Sequence, residues 1–582
     1  MAEKIISPGV FTNEVDQSFL PAGVASIGAA LVGPTQKGPS GIPTIVSTYS
    51  EFLQLFGGKF SSGSGASEKS YKYLTNYAAQ EYLKYADTLT VVRIGDGMSS
   101  ATAVATASII GTSGTASFTM TSLADGADLN SIGSVGTNNL LANGTENNFQ
   151  YEITNVNNSK GTFTLLIRRG DDTINRKIIL EQYNNLTLDP NSPNYIARAV
   201  GDQVQTIRDG GTSDPYLQLS GSFPNRSKYI RVTVNRSTYN YLDANGNLRD
   251  ANFTGSLPAA ASGAFGGGSD GTVAHPRAFY DEISDTNTQG FNLGTTSTKN
   301  AYVDAIRLLK NQDEYDINLI TLPGLIDNFS NHAEVLTEAQ NMVESRGDCF
   351  LVMDPVEYGS SISTATGKAE ARDSNYVAEY WPWVKIPDAD LGENVWVPAS
   401  TLIPSVYAFN DRVAAPWFAP AGLNRGALDI AVQTERKLTH ANRDTLYDAA
   451  VNPIATFPNA GVVVYGQKTL QKKASALDRV NVRRLLIAAK KFIASSTKFL
   501  VFENNTAATR NRFLSIVNPY FENVQQRQGL FAFKVQMDDA NNTPDVIDRN
   551  EMKGAIFLQP AKTAEFIIID FNILPTGAAF PE

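Results

Sequence analysis

The sequence is poor in the residues that nucleophilic, redox and metal chemistry draw on. Cys349 is the one cysteine in 582 residues, which excludes an internal disulfide framework and suits a reducing cytosol. His275, His332 and His440 lie far apart and share no metal-ligand or hydrolase spacing; each reads as a surface or satisfied polar residue. No GxxxxGK[ST] run occurs, so no phosphate-cradling loop is expected and ATP is not an energy source through this chain. No window approaches the roughly 18 apolar residues of a membrane span, and the opening MAEKIISPGVF lacks the apolar run of a signal peptide. The expectation is a protein made in a cytosol and soluble there, with no cofactor, no metal and no membrane partner. Charge is thin as well: 18% of residues are charged and the net charge is −10, which argues against a general nucleic-acid binder.

What is present points to a folded chain of several domains. Hydrophobic content is 42%, ordinary for a globular protein, and the length exceeds what one core organises, so two to four domains are expected. Up to about Gly95 the spacing predicts a buried strand from Val24 to Val32 and a short helix from Ser50 to Phe56 capped by Ser50. Tyr71 to Tyr85 has helical spacing, and a second buried strand spans Leu89 to Val92. From Asp96 to about Asn300 the chain turns rich in Gly, Ser, Thr and Asn. There, Phe163 to Ile167 pairs with Lys177 to Leu180 across Gly170-Asp171-Asp172, Tyr229 to Val234 is a strand, and Asn245-Gly246 is a turn. Gly266 to Gly268 suits a linker.

Beyond residue 300 strand and helix alternate. Ile317 to Leu322 reads as a strand ended by Pro323-Gly324, His332 to Val343 as helix, Cys349 to Met353 as strand and Thr434 to Ala450 as helix. Two more helices precede strands at Phe531 to Val535, Ala555 to Gln559 and Phe566 to Phe571. The fold class expected is α+β or α/β and multidomain, with a partly parallel sheet. No tandem repeat is visible, so this is not a solenoid.

One stretch is charged against the trend. From Gln471 to Lys498 eight basic residues face a single acid, Asp478. Asp478 reads as an N-cap and Val480 to Ile493 as helix. At ~100° per residue, Val482, Leu485, Leu486, Ala489, Phe492 and Ile493 share one side, and Arg479, Arg483, Arg484, Lys490 and Lys491 the other. A solvated face paired with local acids, a docking face for another protein and a phosphate-binding face are all open on the residues alone. No aromatic residues alternate with the charges, which disfavours the last.

Several motifs resemble the contractile tail sheath proteins of myovirus bacteriophages, particularly large sheaths with inserted outer domains. They are Ser7-Pro8-Gly9-Val10, Gly33-Pro34 with Gly38-Pro39, the run EQYNNLTL from Glu181 to Leu188, and NSPNY from Asn191 to Tyr195. In the last third they are APAGLNRG from Ala419, VNPI from Val451, DRVNVRRL from Asp478, FENN from Phe502, NNTP from Asn541 and VIDRNE from Val546. The resemblance implies a structural subunit without enzyme activity that polymerises around a tail tube and shortens to drive genome delivery. It resides in the virion tail and is assembled in the host cytoplasm. It implies a discontinuous core from both chain ends with the β-rich insertion outside: an arm 1–20, core 21–95, insertion 96–300, core 301–560, and a strand and arm 561–582. The implied partners are further copies of the chain, the tail tube protein, and baseplate and tail terminator proteins, without direct nucleic acid contact. Within this family the basic helix faces the tube, which assigns Lys472, Lys473, Arg479, Arg483, Arg484, Lys490 and Lys491 to that interface. Extended, apolar chain ends suit strand exchange between subunits, carried by Pro8, Gly9, Val10, Phe11, Phe566, Ile568 and Phe571; an internal strand of the chain's own sheet is the other reading of Phe566 to Phe571, in which case only the residues past it swap.

Two other readings are open. A virion-associated polysaccharide hydrolase would need paired carboxylates in a cleft; Asp348 and Asp354 flank a strand but read more simply as turn residues. Another self-assembling shell protein is the second, although tube subunits are much shorter. Arg346-Gly347-Asp348 beside a buried strand is incidental.

Overall fold

Strands that read as unbroken apolar runs pair into one sheet, as expected when both faces are covered. The computed structural model describes residues 28–62, 69–106, 116–132, 141, 143–273 and 282–565. Its largest sheet has eight strands: β1 (Gly28–Gly33), β2 (Thr44–Val46), β3 (Leu89–Arg93), β4 (Ile317–Ile326), β5 (Phe350–Asp354), β6 (Val377–Trp381), β7 (Val451–Phe457) and β8 (Gly461–Val464). They lie in the order β2-β3-β1-β4-β5-β6-β7-β8. From β3 to β7 every neighbour is parallel, and antiparallel β2 and β8 close the edges.

The period of two along each strand sorts side chains between two cores. Ala29, Leu31, Leu89, Val91, Phe350, Val352 and Tyr380 face one core, with the helices Leu74–Tyr82 and Ala399–Val413. Ala30, Val32, Val92, Leu351, Met353 and Trp381 face the other, with Thr296–Leu308 and Ser330–Arg346. The result is a helix–sheet–helix sandwich. Close approach demands glycine at both ends of β1. A Cβ on Gly28 would lie 2.3 Å from the Thr88 carbonyl oxygen, and one on Gly33 2.4 Å from Thr75 Oγ1.

A second fold element occupies the interval between β3 and β4. Antiparallel strands Ser100–Thr106, Ala116–Asp125 and Ile230–Val234 form one sheet, and Phe149–Asn157, Thr162–Arg169, Ile179–Thr187 and Ala261–Ala264 another. Their inner faces share a separate hydrophobic core, in which Phe118 and Phe163 stack at 5.6 Å. Arg93, at the end of β3, joins this region to the large sheet. Its guanidinium donates to the carbonyl oxygens of Gly38 (2.9 Å) and Asp125 (2.7 Å) and pairs with Asp270 (3.3 Å).

Four expectations are corrected. The helix near Ser50 spans Tyr49–Phe56 and is capped by Thr48, whose side chain accepts from the Glu51 N–H. Pro323-Gly324 does not end its strand: β4 continues to Ile326 with a register break after Thr321. Buried side chains take the carbonyls released there, Gln289 donating to Pro323 (3.2 Å) and Thr288 to Gly324 (2.8 Å). Gly266–Gly268 is no linker, because Gly266 exchanges backbone hydrogen bonds with Thr102 and the Gly268 N–H donates to Asn130. The strand facing Thr162–Arg169 runs from Ile179 to Thr187, farther than expected. Asp172 holds the connecting loop through Arg168 and the Ile178 N–H.

By compactness the described residues separate into 28–488 with 560–565, and 489–559. The smaller unit contains the helix Ala507–Gln526, the short helix Pro544–Asp548 and a sheet of two strands, Leu530–Gln536 and Ala555–Pro560.

Candidate functional site

The basic segment forms the helix Val480–Thr497. Asp478 is not its cap: it ends a 3-10 turn, Ala476–Asp478, while the Arg479 carbonyl accepts the first helical hydrogen bond from Arg483. The Asp478 carboxylate instead pairs with Arg479 at 3.1 Å.

The expected cationic stripe does not face solvent. Arg483 is 4% exposed, Arg484 8% and Lys491 8%. Arg483 lies 4.1 Å from the centre of the Tyr376 ring and donates to the Asn375 carbonyl. Arg484 lies 4.6 Å from the Tyr407 ring centre and pairs with Asp411 at 2.5 Å. Tyr407 and Asp411 stand one turn apart on Ala399–Val413, so one helix face supplies both partners. Burial pushes the Arg483 guanidinium down, with the Tyr376 hydroxyl opposing, and pushes the Asp411 carboxyl up against the pull of Arg484. Arg483, Arg484 and Lys491 are therefore internal, and the assignment of an outward face to them is corrected; Arg479 is half-buried. Lys472, Lys473 and Lys490 are exposed.

Arg479 has a different partner. Its Nε donates to Glu565 Oε1 at 2.7 Å and its Nη2 to Oε2 at 3.0 Å. Tyr447 Oη donates to Oε2 at 3.0 Å and Gln467 Nε2 to Oε1 at 3.1 Å. Burial alone would raise the Glu565 carboxyl, but these donors hold it below the usual carboxylate range. The anticipated arm residues Pro8, Gly9, Val10, Phe11, Phe566, Ile568 and Phe571 lie outside the described residues, as does His275.

In the 489–559 unit large apolar side chains face outward: Phe531 is 75% exposed, Phe557 57% and Phe502 fully so. Phe531 and Phe557 belong to the two strands of its sheet. An isolated two-stranded sheet is marginal in water and leaves unpaired backbone groups on its edges.

The polar residues noted earlier are structural here. Cys349 is buried. His332 accepts the Ile326 N–H on Nδ1, and burial lowers its pKa to about 4. His440 pairs with Asp444 on an exposed helix. Arg346 fixes Asp348 (2.8 Å) and the Tyr315 carbonyl, so the Arg-Gly-Asp run is turned inward. Asp354 accepts from the Ser400 N–H and hydroxyl, and burial raises its pKa to about 7. Among the described residues no cluster of His, Cys, Asp and Glu is placed to hold a metal, and no helix is long and apolar enough to cross a membrane.

Comparison with known proteins gives concordant matches. Residues 297–470 match the phage tail sheath protein central domain, and residues 472–573 the phage tail sheath C-terminal domain. The tail sheath protein of Vibrio phage KVP40 is 40% identical over 210 residues, covering 36% of this chain and 30% of the relative. That of Enterobacteria phage T4 is 38% identical over 189 residues, covering 32% and 29%. The chain thus spans less than a third of the length of these two relatives. The crystal structure of a sheath tail protein from Listeria innocua aligns over 93% of this chain and 96% of that one, with a TM-score of 0.52 at 11% identity, a likeness of fold.

Proposed function

We propose that this chain, which carries the phage tail sheath central and C-terminal domains, is the structural subunit of a contractile tail sheath. The observation that carries the reading is the back-to-back placement of those two domains over residues 297–573. Copies polymerise as a helical cylinder around a tail tube, between baseplate and terminator proteins, in the host cytoplasm, and reside in the virion. The core is discontinuous, with 21–95 and 301–560 enclosing an outer insertion at 96–300. Support comes from the shared sheet of β1–β3 with β4–β8 and from the separate core of the intervening strands. The tube contact rests on the exposed Lys472, Lys473 and Lys490. Exposed ion pairs contribute only about 0–1 kcal/mol each but set register, which suits an interface repeated many times and released on shortening.

Subunits are linked by their ends: the arms 1–20 and 561–582 add strands to neighbouring copies. The two-stranded sheet with outward Phe531 and Phe557 supports this, since among the described residues its edges have no further strand and are the kind that β-augmentation completes. Contraction releases a kinetically trapped lattice by near-rigid movement of subunits into a wider arrangement that buries more surface, with the arms as hinges. Purified protein viewed by negative-stain microscopy is expected to form short, wide, striated hollow cylinders without tube or nucleotide. Protein that stays monomeric under every assembly condition, and is indifferent to removal of 1–20 or 566–582, would refute this function.

A further inference from the structure

We infer that Glu565 is the anchored root of the C-terminal arm, the point at which tension on residues 566–582 enters the central domain. This rests on the sheath reading for the tension and on local geometry for the anchor. One carboxylate receives four donated hydrogen bonds from three residues far away in sequence: two from the Arg479 fork, one from Tyr447 and one from Gln467. The side chains of Arg479 and Glu565 are 24% and 18% exposed, so the pair is largely withdrawn from solvent, where charge-assisted bidentate bonds are strongest. The same Gln467 amide also donates to Thr563 (2.7 Å), so the chain is gripped at two alternate residues just before the arm begins.

The holders are themselves fixed. Tyr447 has two cations near its ring, Lys468 at 4.5 Å and Arg479 at 5.9 Å from the ring centre, and Lys468 Nζ donates to the Tyr447 carbonyl. The Gln467 carbonyl accepts the N–H of Val480, the first residue of the helix. Pulling on the arm therefore loads this helix start and the end of His440–Asp448, not the two-stranded sheet. Arg479, expected to reach outward to a partner, acts as an internal positioning residue for the arm.

Lys562 is exposed within the held segment and gives a direct probe. Full-length monomer is treated with trypsin, and cleavage after Lys562 is compared with cleavage after Arg549 as an internal reference. Glu565→Gln and Arg479→Met should each raise the relative rate about tenfold. The double variant should be no faster than either single, because both remove one interaction. Tryptophan fluorescence checks that each variant is folded. In assembly conditions the variants should form cylinders that shear apart at lower force than wild type. Unchanged cleavage overturns the anchor, and so do additive effects in the double variant. Raised cleavage with cylinders as shear-resistant as wild type also overturns it, since the clamp then carries no tension. If wild type forms no cylinders at all, the sheath function fails, and the tension half of this inference is overturned with it.

Discussion

The eight-stranded sheet and the two-stranded sheet of residues 489–559 solve the same problem in opposite ways. In the first, both faces are covered by helices and the outermost strands are antiparallel and short. In the second, two strands present Phe531 and Phe557 outward, uncovered by the described residues. One region has its apolar faces covered by its own helices, and the other leaves large rings exposed; the proposed function gives that second region to assembly.

Substitutions can break or sharpen that contrast. All four tryptophans, Trp381, Trp383, Trp396 and Trp417, lie in the larger unit, so fluorescence during urea unfolding reports on it alone. Phe350→Ala, at a ring 1% exposed, should cost about 4 kcal/mol there. Arg484→Ala should cost about 2 kcal/mol, because the half-buried Asp411, whose Oδ1 is shut off from solvent, loses its cation; adding Asp411→Asn should recover much of the loss.

A third test uses pH. Glu379 on β6 is fully buried, and among the described residues neither carboxylate oxygen has a hydrogen-bond partner. Burial, then repulsion from Asp327 and Asp354, raises its pKa well above the ordinary value, with Arg372 opposing. The folded state therefore holds a proton that the unfolded state gives up above the ordinary glutamate range. Stability should fall as pH rises from there toward the folded pKa, with a slope of at most about 1.4 kcal/mol per pH unit for one proton. Glu379→Gln should flatten that slope, and a slope unchanged by the substitution would show that Glu379 does not hold the proton. The smallest effect belongs to the other region. Phe531→Ser should change monomer stability by less than about 0.5 kcal/mol while sharply reducing cylinder yield by pelleting. A large loss of monomer stability instead would mean that this ring packs within its own chain.

The sequence made the sheet legible because parallel strands covered on both faces appear as continuous apolar runs, as in Leu89–Arg93 and Phe350–Asp354. The basic helix was legible as a helix but not as to its surroundings. A two-sided division assumes one wet face, yet over residues 480–489 this helix is covered on both. Ile487 carried the warning: at ~100° per residue it falls between Arg483 and Lys491, inside the supposed solvent stripe, and it is 4% exposed. The partners Tyr376, Tyr407, Asp411 and Glu565 lie 73 or more positions from their arginines, beyond the reach of any local pattern. Corrections at Thr48 and Pro323-Gly324 have a similar origin, since caps and register breaks are decided by which neighbouring groups remain unsatisfied.

Strand order also has a consequence for synthesis. β1 is complete at Gly33, but its partner β4 begins only at Ile317. At about 5–20 residues per second on the ribosome, one side of β1 waits some tens of seconds for its neighbour. Residues 101–265 possess a hydrophobic core of their own and can close during that delay. The nascent chain therefore waits with one open apolar edge and a large folded body beside it, and chaperones have that interval in which to act.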